Sequence, residues 1–147
     1  MDTVTYPEPR VAAFVGQHFI PVKISVKEKP DVAASFDDAQ LANFQRFAPF
    51  IVEAELGRTG VTDASIETLS QFKNLRALHL EGTAISGRTL ARLSSLSQLT
   101  YLNLSATKVT SDTVAPLKSI PNLRHVYLFN TPAEPASAAE IDLRSTQ

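Results

Sequence analysis

Apolar positions recur along this chain at a fixed interval of 24 residues. Leu75, Leu78 and Leu80 are followed by Leu99, Leu102 and Leu104, and then by Leu123, Val126 and Leu128. A weaker copy precedes them, with Ala54, Leu56, Val61, Ile66, Leu69 and Phe72 standing under Leu78, Leu80, Ile85, Leu90, Leu93 and Leu96. A fixed period of this length marks a solenoid, in which one unit cannot bury its apolar side alone and successive units stack into one core. Each unit predicts a short strand (Ala77 to Leu80 in the second), a turn, and a short helix (Ser86 to Leu96). Thr62, Ser86 and Thr110 stand where helix caps are expected. Pro116 forfeits a backbone hydrogen bond inside the third helix and predicts a tight, partly 3₁₀ turn there.

The unit L-x-x-L-x-L-x-x-T-x-I-x-x-x-x-L-x-x-L-x-x-L-x-x resembles the leucine-rich repeat family. Thr59, Thr83, Thr107 and Thr131 occupy the position where the family usually has Asn or Cys. A threonine hydroxyl there can satisfy backbone groups left free as the chain leaves the strand. This threonine type resembles repeats common in bacterial multidomain proteins, some joined to c-type cytochrome domains; the chain has no haem-attachment Cys-x-x-Cys-His. The expected architecture is α/β: a leucine-rich repeat solenoid of about 3.5 repeats over residues 49–132, with a parallel sheet on its concave face.

Residues 1–48 carry a different pattern. Ile20, Val22, Ile24 and Val26 alternate with Pro21, Lys23, Ser25 and Lys27, which predicts a half-buried strand over 19–26. Val11, Phe14, Val15 and Phe19 fall at helical spacing behind Pro9 and predict a helix over 9–19. Asp37 or Asp38 can cap a helix over 37–48 whose apolar side is Leu41, Phe44 and Phe47. The order is helix, strand, helix, helix, then repeats. The run from Met1 to Phe36 also resembles the middle of a thioredoxin-like domain whose Cys-x-x-Cys would lie before Met1. Pro49 could stand for that family's cis-proline, but the 24-residue register assigns Phe50, Ile51 and Val52 to the first repeat. Residues 1–48 are therefore expected to be a thioredoxin-like remnant acting as an α/β cap on the solenoid. Residues 133–147 read as a flexible tail, from which Ile141 and Leu143 could fold back over the open end.

Three columns of residues should line the exposed face of the sheet: Glu53, Ala77, Tyr101, His125; Glu55, His79, Asn103, Tyr127; and Gly57, Glu81, Ser105, Phe129. They run from acidic to aromatic, and Tyr101, His125, Tyr127 and Phe129 are expected to cluster. Aromatic residues are enriched at interface hot spots. Tyr101, Asn103, His125, Tyr127, Phe129 and His79 are accordingly the candidate partner-binding residues.

Composition narrows the chemistry. The 147 residues carry a formal net charge of −1, which excludes the basic footprint of a nucleic-acid binder. Lys23, Lys27 and Lys29 are interrupted by Glu28 and Asp31 and read as a solvated face. With no cysteine, thiol chemistry and thiolate metal sites are excluded. Three histidines, at 18, 79 and 125, offer no Ser/His/Asp arrangement. His79 between Glu55 and Glu81 reads as ordinary polar surface, so no metal, cofactor or catalytic residue is expected. Asn103-Leu104-Ser105 matches a glycosylation sequon but lies on a core strand. No apolar run approaches the ~20 residues of a membrane helix, and no signal peptide is visible. The compartment is left unassigned: cytoplasmic by default, extracytoplasmic if the chain is a fragment.

The leading expectation is thus a non-enzymatic module binding a protein partner, with self-association through open solenoid ends as a further route. The alternatives are a structural fragment of a larger multidomain protein and a degenerate thioredoxin-like oxidoreductase without its thiols.

Overall fold

The computed structural model describes residues 21–26, 30–133 and 140–142. Six strands form one sheet in chain order: β1 (Val22–Ser25), β2 (Ile51–Glu55), β3 (Ala77–His79), β4 (Tyr101–Asn103), β5 (His125–Tyr127) and β6 (Glu140–Asp142). The first five are parallel, and β6 pairs antiparallel with β5. From β2 to β5 the partners are those the 24-residue period dictates: Ala54 beside Leu78, Leu78 beside Leu102, and Leu102 beside Val126. All four of these side chains point into the core, at 1% exposure or less.

Hydrogen bonding continues past each strand. Leu56 and Arg58 donate to the carbonyls of His79 and Glu81, Leu80 and Gly82 to those of Asn103 and Ser105, and Leu104 and Ala106 to those of Tyr127 and Phe129. The chain then turns sharply through a left-handed residue. Arg58, Gly82, Ala106 and Asn130 have φ of 59°, 69°, 57° and 59°, each 24 residues after the last. Three residues beyond the last core leucine of each unit, a threonine closes the turn. Thr59, Thr83, Thr107 and Thr131 donate their hydroxyls to the carbonyls of Leu56, Leu80, Leu104 and Leu128 at 2.7, 2.7, 2.6 and 2.7 Å. The ninth-position threonines therefore satisfy backbone acceptors as their chemistry suggested, and each does so within its own turn.

The returning segments are shorter and tighter than the apolar spacing predicts. The chain runs through α1 (Pro30–Ser35), α2 (Asp38–Ala42), a 3₁₀ helix over Gln45–Phe50, and α3 (Asp63–Leu69). It continues with a 3₁₀ helix over Leu90–Ser95, then α4 (Ser111–Val114) running into a 3₁₀ helix over Ala115–Ser119. The helix expected over 86–96 begins only at Leu90. Gly87 has φ of 93°, incompatible with a right-handed helix, and a Cβ there would lie 2.5 Å from Thr113 Oγ1 of the next coil. Ser86 is accordingly no cap: its N–H and hydroxyl donate to Asp63 instead. Thr62 and Thr110 do cap α3 and α4, and Pro116 lies in the 3₁₀ turn expected around it.

The expected helix over 37–48 is split in two. Asp37 caps α2, its carboxylate accepting the Gln40 N–H at 3.0 Å. After Ala42 the chain tightens into the 3₁₀ turn that contains Pro49, which has no N–H to continue an α-helical ladder. There is no cis peptide bond among the described residues. Leu41, Phe44 and Phe47 are buried as their spacing predicts, at 2% exposure or less.

β1 occupies part of the strand expected over 19–26, and residues 1–20, which include the helix expected over 9–19, lie outside the described residues. β1 joins the sheet directly rather than packing outside it. Val22 lies beside Ile51 and Lys23 beside Glu53, so Val52 is passed over in the register. This one-residue irregularity lets Ile51 and Ala54 both face the core, each fully buried. Of the segment expected as a tail, residues 140–142 form β6, with Ile141 opposite Val126. Residues 134–139 and 143–147, Leu143 among them, lie outside the described residues.

One core runs the length of the described chain, from Val22 and Ile24 through Phe47, Phe72 and the repeat leucines to Leu128. Burying each large side chain contributes about 1.5–3 kcal/mol, which is how units too small to fold alone hold one another.

Candidate functional site on the outer face of the sheet

The period of two along each strand sends Leu78, Leu102 and Val126 inward and leaves their flanking residues half-exposed on the opposite face. The pairing places Glu53, Ala77, Tyr101 and His125 in one row and Glu55, His79, Asn103 and Tyr127 in the next, the columns the sequence suggested. Rings meet diagonally between these rows. His79 and Tyr101 have centroids 4.8 Å apart, and Tyr101 and Tyr127 5.2 Å apart, with interplanar angles of 38° and 42°. Tilted pairs at this spacing each contribute about 0.5–1.5 kcal/mol beyond their buried area.

The candidate binding residues thus occupy distinct places. His79, Tyr101 and Tyr127 form a zigzag of touching rings. Asn103 lies among them, but its Oδ1 accepts the Ser105 N–H at 3.0 Å, so its carbonyl end is committed to the strand exit. His125 is half-buried beside Tyr101 in the register. Phe129 stands past the end of β5 and is 62% exposed, one of the two large apolar side chains standing clear among the described residues.

The acidic end of the face holds what sequence reasoning missed. Lys23 does not project as a solvated charge. Its Nζ lies 3.2 Å from Glu55 and 3.6 Å from Glu53, and its side chain is only 21% exposed. Ser25 Oγ donates to Glu55 Oε2 at 2.6 Å, and Glu55 is 5% exposed. A buried carboxylate is costly unless paired and hydrogen-bonded, and β1 supplies both partners. The alternation put Lys23 and Ser25 on one side of the strand, and its pairing with β2 sets Lys23 beside Glu53 and Ser25 beside Glu55.

On the other side of these glutamates, His79 Nε2 lies 3.5 Å from Glu53 Oε1. One donor atom from each of Glu53, Glu55 and His79 lies within 4.8 Å of the others. Glu81 leans across Gly57, where a Cβ would come within 2.6 Å of its Oε1. The other oxygen, Oε2, is buried and has no hydrogen-bond donor.

Parallel strands 24 residues apart, each leaving through a left-handed turn closed by a threonine, define a fold of leucine-rich repeat type. No protein-family model and no curated protein matches the chain. Among solved structures it is similar to an internalin (inlF) from Listeria monocytogenes, at 17% sequence identity and a TM-score of 0.46. The match covers 76% of this chain and 41% of the internalin, so the chain spans less than half the length of that protein. Nothing in these comparisons supports the thioredoxin-like resemblance of the first 36 residues. No helix among the described residues is long and apolar enough to cross a membrane.

Proposed function

We propose that the chain is a non-enzymatic protein-interaction module that holds a protein partner on the outer face of its sheet. Tyr101, Asn103, His125, Tyr127, Phe129 and His79 form the contact surface in this reading. The observation that carries it is the ring zigzag from His79 through Tyr101 to Tyr127, with Phe129 projecting beside it. Rigid aromatic side chains on a strand-built platform give large contact area at little cost in lost side-chain freedom. The fold serves this purpose by fixing the spacing of side chains across neighbouring coils.

The test is a double substitution, Tyr127→Ser with Phe129→Ser. A partner that co-purifies with the native chain should be lost from the variant, while the melting temperature stays within a few degrees. Retained partner would remove this surface from the reading. A collapse of the melting transition would show instead that these rings hold the fold.

A further inference from the structure

The turns that lead into β2, β3, β4 and β5 stack into one edge of the solenoid, and that edge carries charge of one sign. Residues 43–50, 70–76, 94–100 and 118–124 contain Arg46, Lys73, Arg76, Lys118 and Arg124 but no aspartate or glutamate. The chain as a whole has a formal charge of −1, so cations are segregated here rather than abundant. Carboxylates gather at the opposite edge, where strands run out into the next turns: Asp38, Asp63, Glu81 and Asp112.

All five cationic residues are exposed. Lys73 Nζ donates to Ser95 Oγ of the next coil at 3.0 Å, a neutral partner that leaves its charge uncompensated. Among the described residues, Arg46, Arg76, Lys118 and Arg124 pair with no carboxylate. A cluster of like charge repels itself, and an anionic partner relieves that repulsion.

The backbone under these side chains is fixed. Thr100 N–H donates to the Arg76 carbonyl at 2.9 Å, and Arg124 N–H to that of Thr100 at 3.0 Å. Asn74 and Asn122 tie the same turns to the coil before through Pro49 and Ser97. Arg76 and Arg124 therefore stand two strand spacings apart, roughly 9.6 Å at the backbone. An extended polypeptide rises about 3.3 Å per residue, so carboxylates three residues apart match that interval. Guanidinium groups suit this role because their planar fork takes a carboxylate through two hydrogen bonds. The neighbouring outer face limits the anion's length, since Glu53 and Glu81 would repel a polyanion that ran on past the edge.

We propose that the edge formed by Arg46, Lys73, Arg76, Lys118 and Arg124 docks a short, extended acidic segment of a polypeptide partner. The segment crosses the coils, with its carboxylates meeting Arg76 and Arg124. The proposal rests on this edge alone and not on the aromatic rows.

Fluorescence anisotropy of the full chain with a labelled peptide of Glu-Ser-Ser repeats tests this. Saturable binding is expected at low salt, weakening as sodium chloride is raised, with none for the Lys-Ser-Ser counterpart. Arg76→Glu with Arg124→Glu should weaken binding about tenfold or more. Arg88→Glu with Lys108→Glu changes net charge equally at the opposite edge and should leave affinity within about twofold. Tyr127→Ser with Phe129→Ser should also leave it unchanged, so this reading and the aromatic one fail separately. Circular dichroism melts establish that each variant is folded, and Arg76→Gln with Arg124→Gln decides the matter if the glutamate pair is not. The proposal is overturned if the native chain shows no saturable binding below ~1 mM. It is equally overturned if both charge-reversed variants lose affinity alike, or if an oligothymidylate of matched charge binds as tightly as the peptide.

Discussion

The Asp38 carboxylate accepts the backbone N–H of Thr62 at 2.8 Å and its hydroxyl at 2.6 Å, clamping one coil to the next across 24 residues. Ser65 Oγ of the same coil donates to it as well. Asp63 repeats the device one coil later, accepting the N–H and hydroxyl of Ser86 and the N–H of Gly87. The third step lacks an aspartate, and Thr110 and Thr113 cap each other instead.

These bonds make stability depend on pH. Burial alone would raise the Asp38 pKa, but the hydrogen bonds from Ser65 and Thr62 outweigh it and hold the carboxyl below its ordinary 3.8. A carboxyl with a depressed folded pKa contributes stability above the unfolded value, and loses it as pH falls through the folded one. Urea melts should therefore show native stability falling below about pH 4, with part of that fall absent in Asp38→Asn. At neutral pH the same substitution should cost about 1–3 kcal/mol, because the bonds to a charged acceptor are weakened.

Leu104 is fully buried in the middle of the stack, and Thr107 caps the turn that follows it. Leu104→Ala should cost ~2–5 kcal/mol through lost burial and a residual cavity. Thr107→Ser keeps the hydroxyl and should cost less. Chemical denaturation of both variants checks the ranking, and the reverse order would show that the turn outweighs the core at this coil.

The left-handed turn position offers a substitution that should stabilise. Ala106 has φ of 57°, a conformation that costs an L-residue roughly 1–2 kcal/mol. Ala106→Gly should raise stability by up to about 1 kcal/mol, the relief being partly offset by glycine's greater freedom when unfolded. Gly82→Ala should do the opposite, since its φ is 69° and the added Cβ would lie 3.1 Å from Arg58 Cγ. Thermal melts of the pair should shift in opposite directions.

Removing residues 1–48 should leave the repeats aggregating or unfolded, as read by size-exclusion chromatography and circular dichroism. The deletion strips β1 from β2, takes Lys23 and Ser25 away from the buried Glu55, and uncovers Ile51. Two soluble halves, each melting cooperatively, would mean that the segment is an independent domain.

The repeat strands were legible in the sequence because their register follows from arithmetic: once Leu78 and Leu102 are matched, Ala77, Tyr101 and His125 must line up. The threonine ladder was legible for the same reason. The returning segments were not, because leucine spacing specifies which side is buried but not whether a turn is α or 3₁₀. That depended on single residues such as Gly87 and Pro49. The Asp38 and Asp63 clamps escaped notice because aspartate near a helix start reads as a local cap, while its partners here lie a full coil away. The same holds for Asn74 and Asn122, whose side-chain amides donate to the carbonyls of Pro49 and Ser97 in the coil before. At the candidate site the columns could be read off, but the pairing of Lys23 with Glu53 and Glu55 required knowing that β1 belongs to the same sheet.

The reversal of direction at β6 has a consequence for how copies of this chain behave together. A stack of parallel strands presents, at its last member, a row of backbone groups on which another parallel strand could be templated, and exposed edges of this kind drive aggregation. β6 runs the other way and engages β5 from His125 to Tyr127. Adding a parallel strand of a second molecule directly onto this edge of β5 requires peeling β6 away. Residues 140–142 thus close the edge of β5 to a parallel strand from another copy.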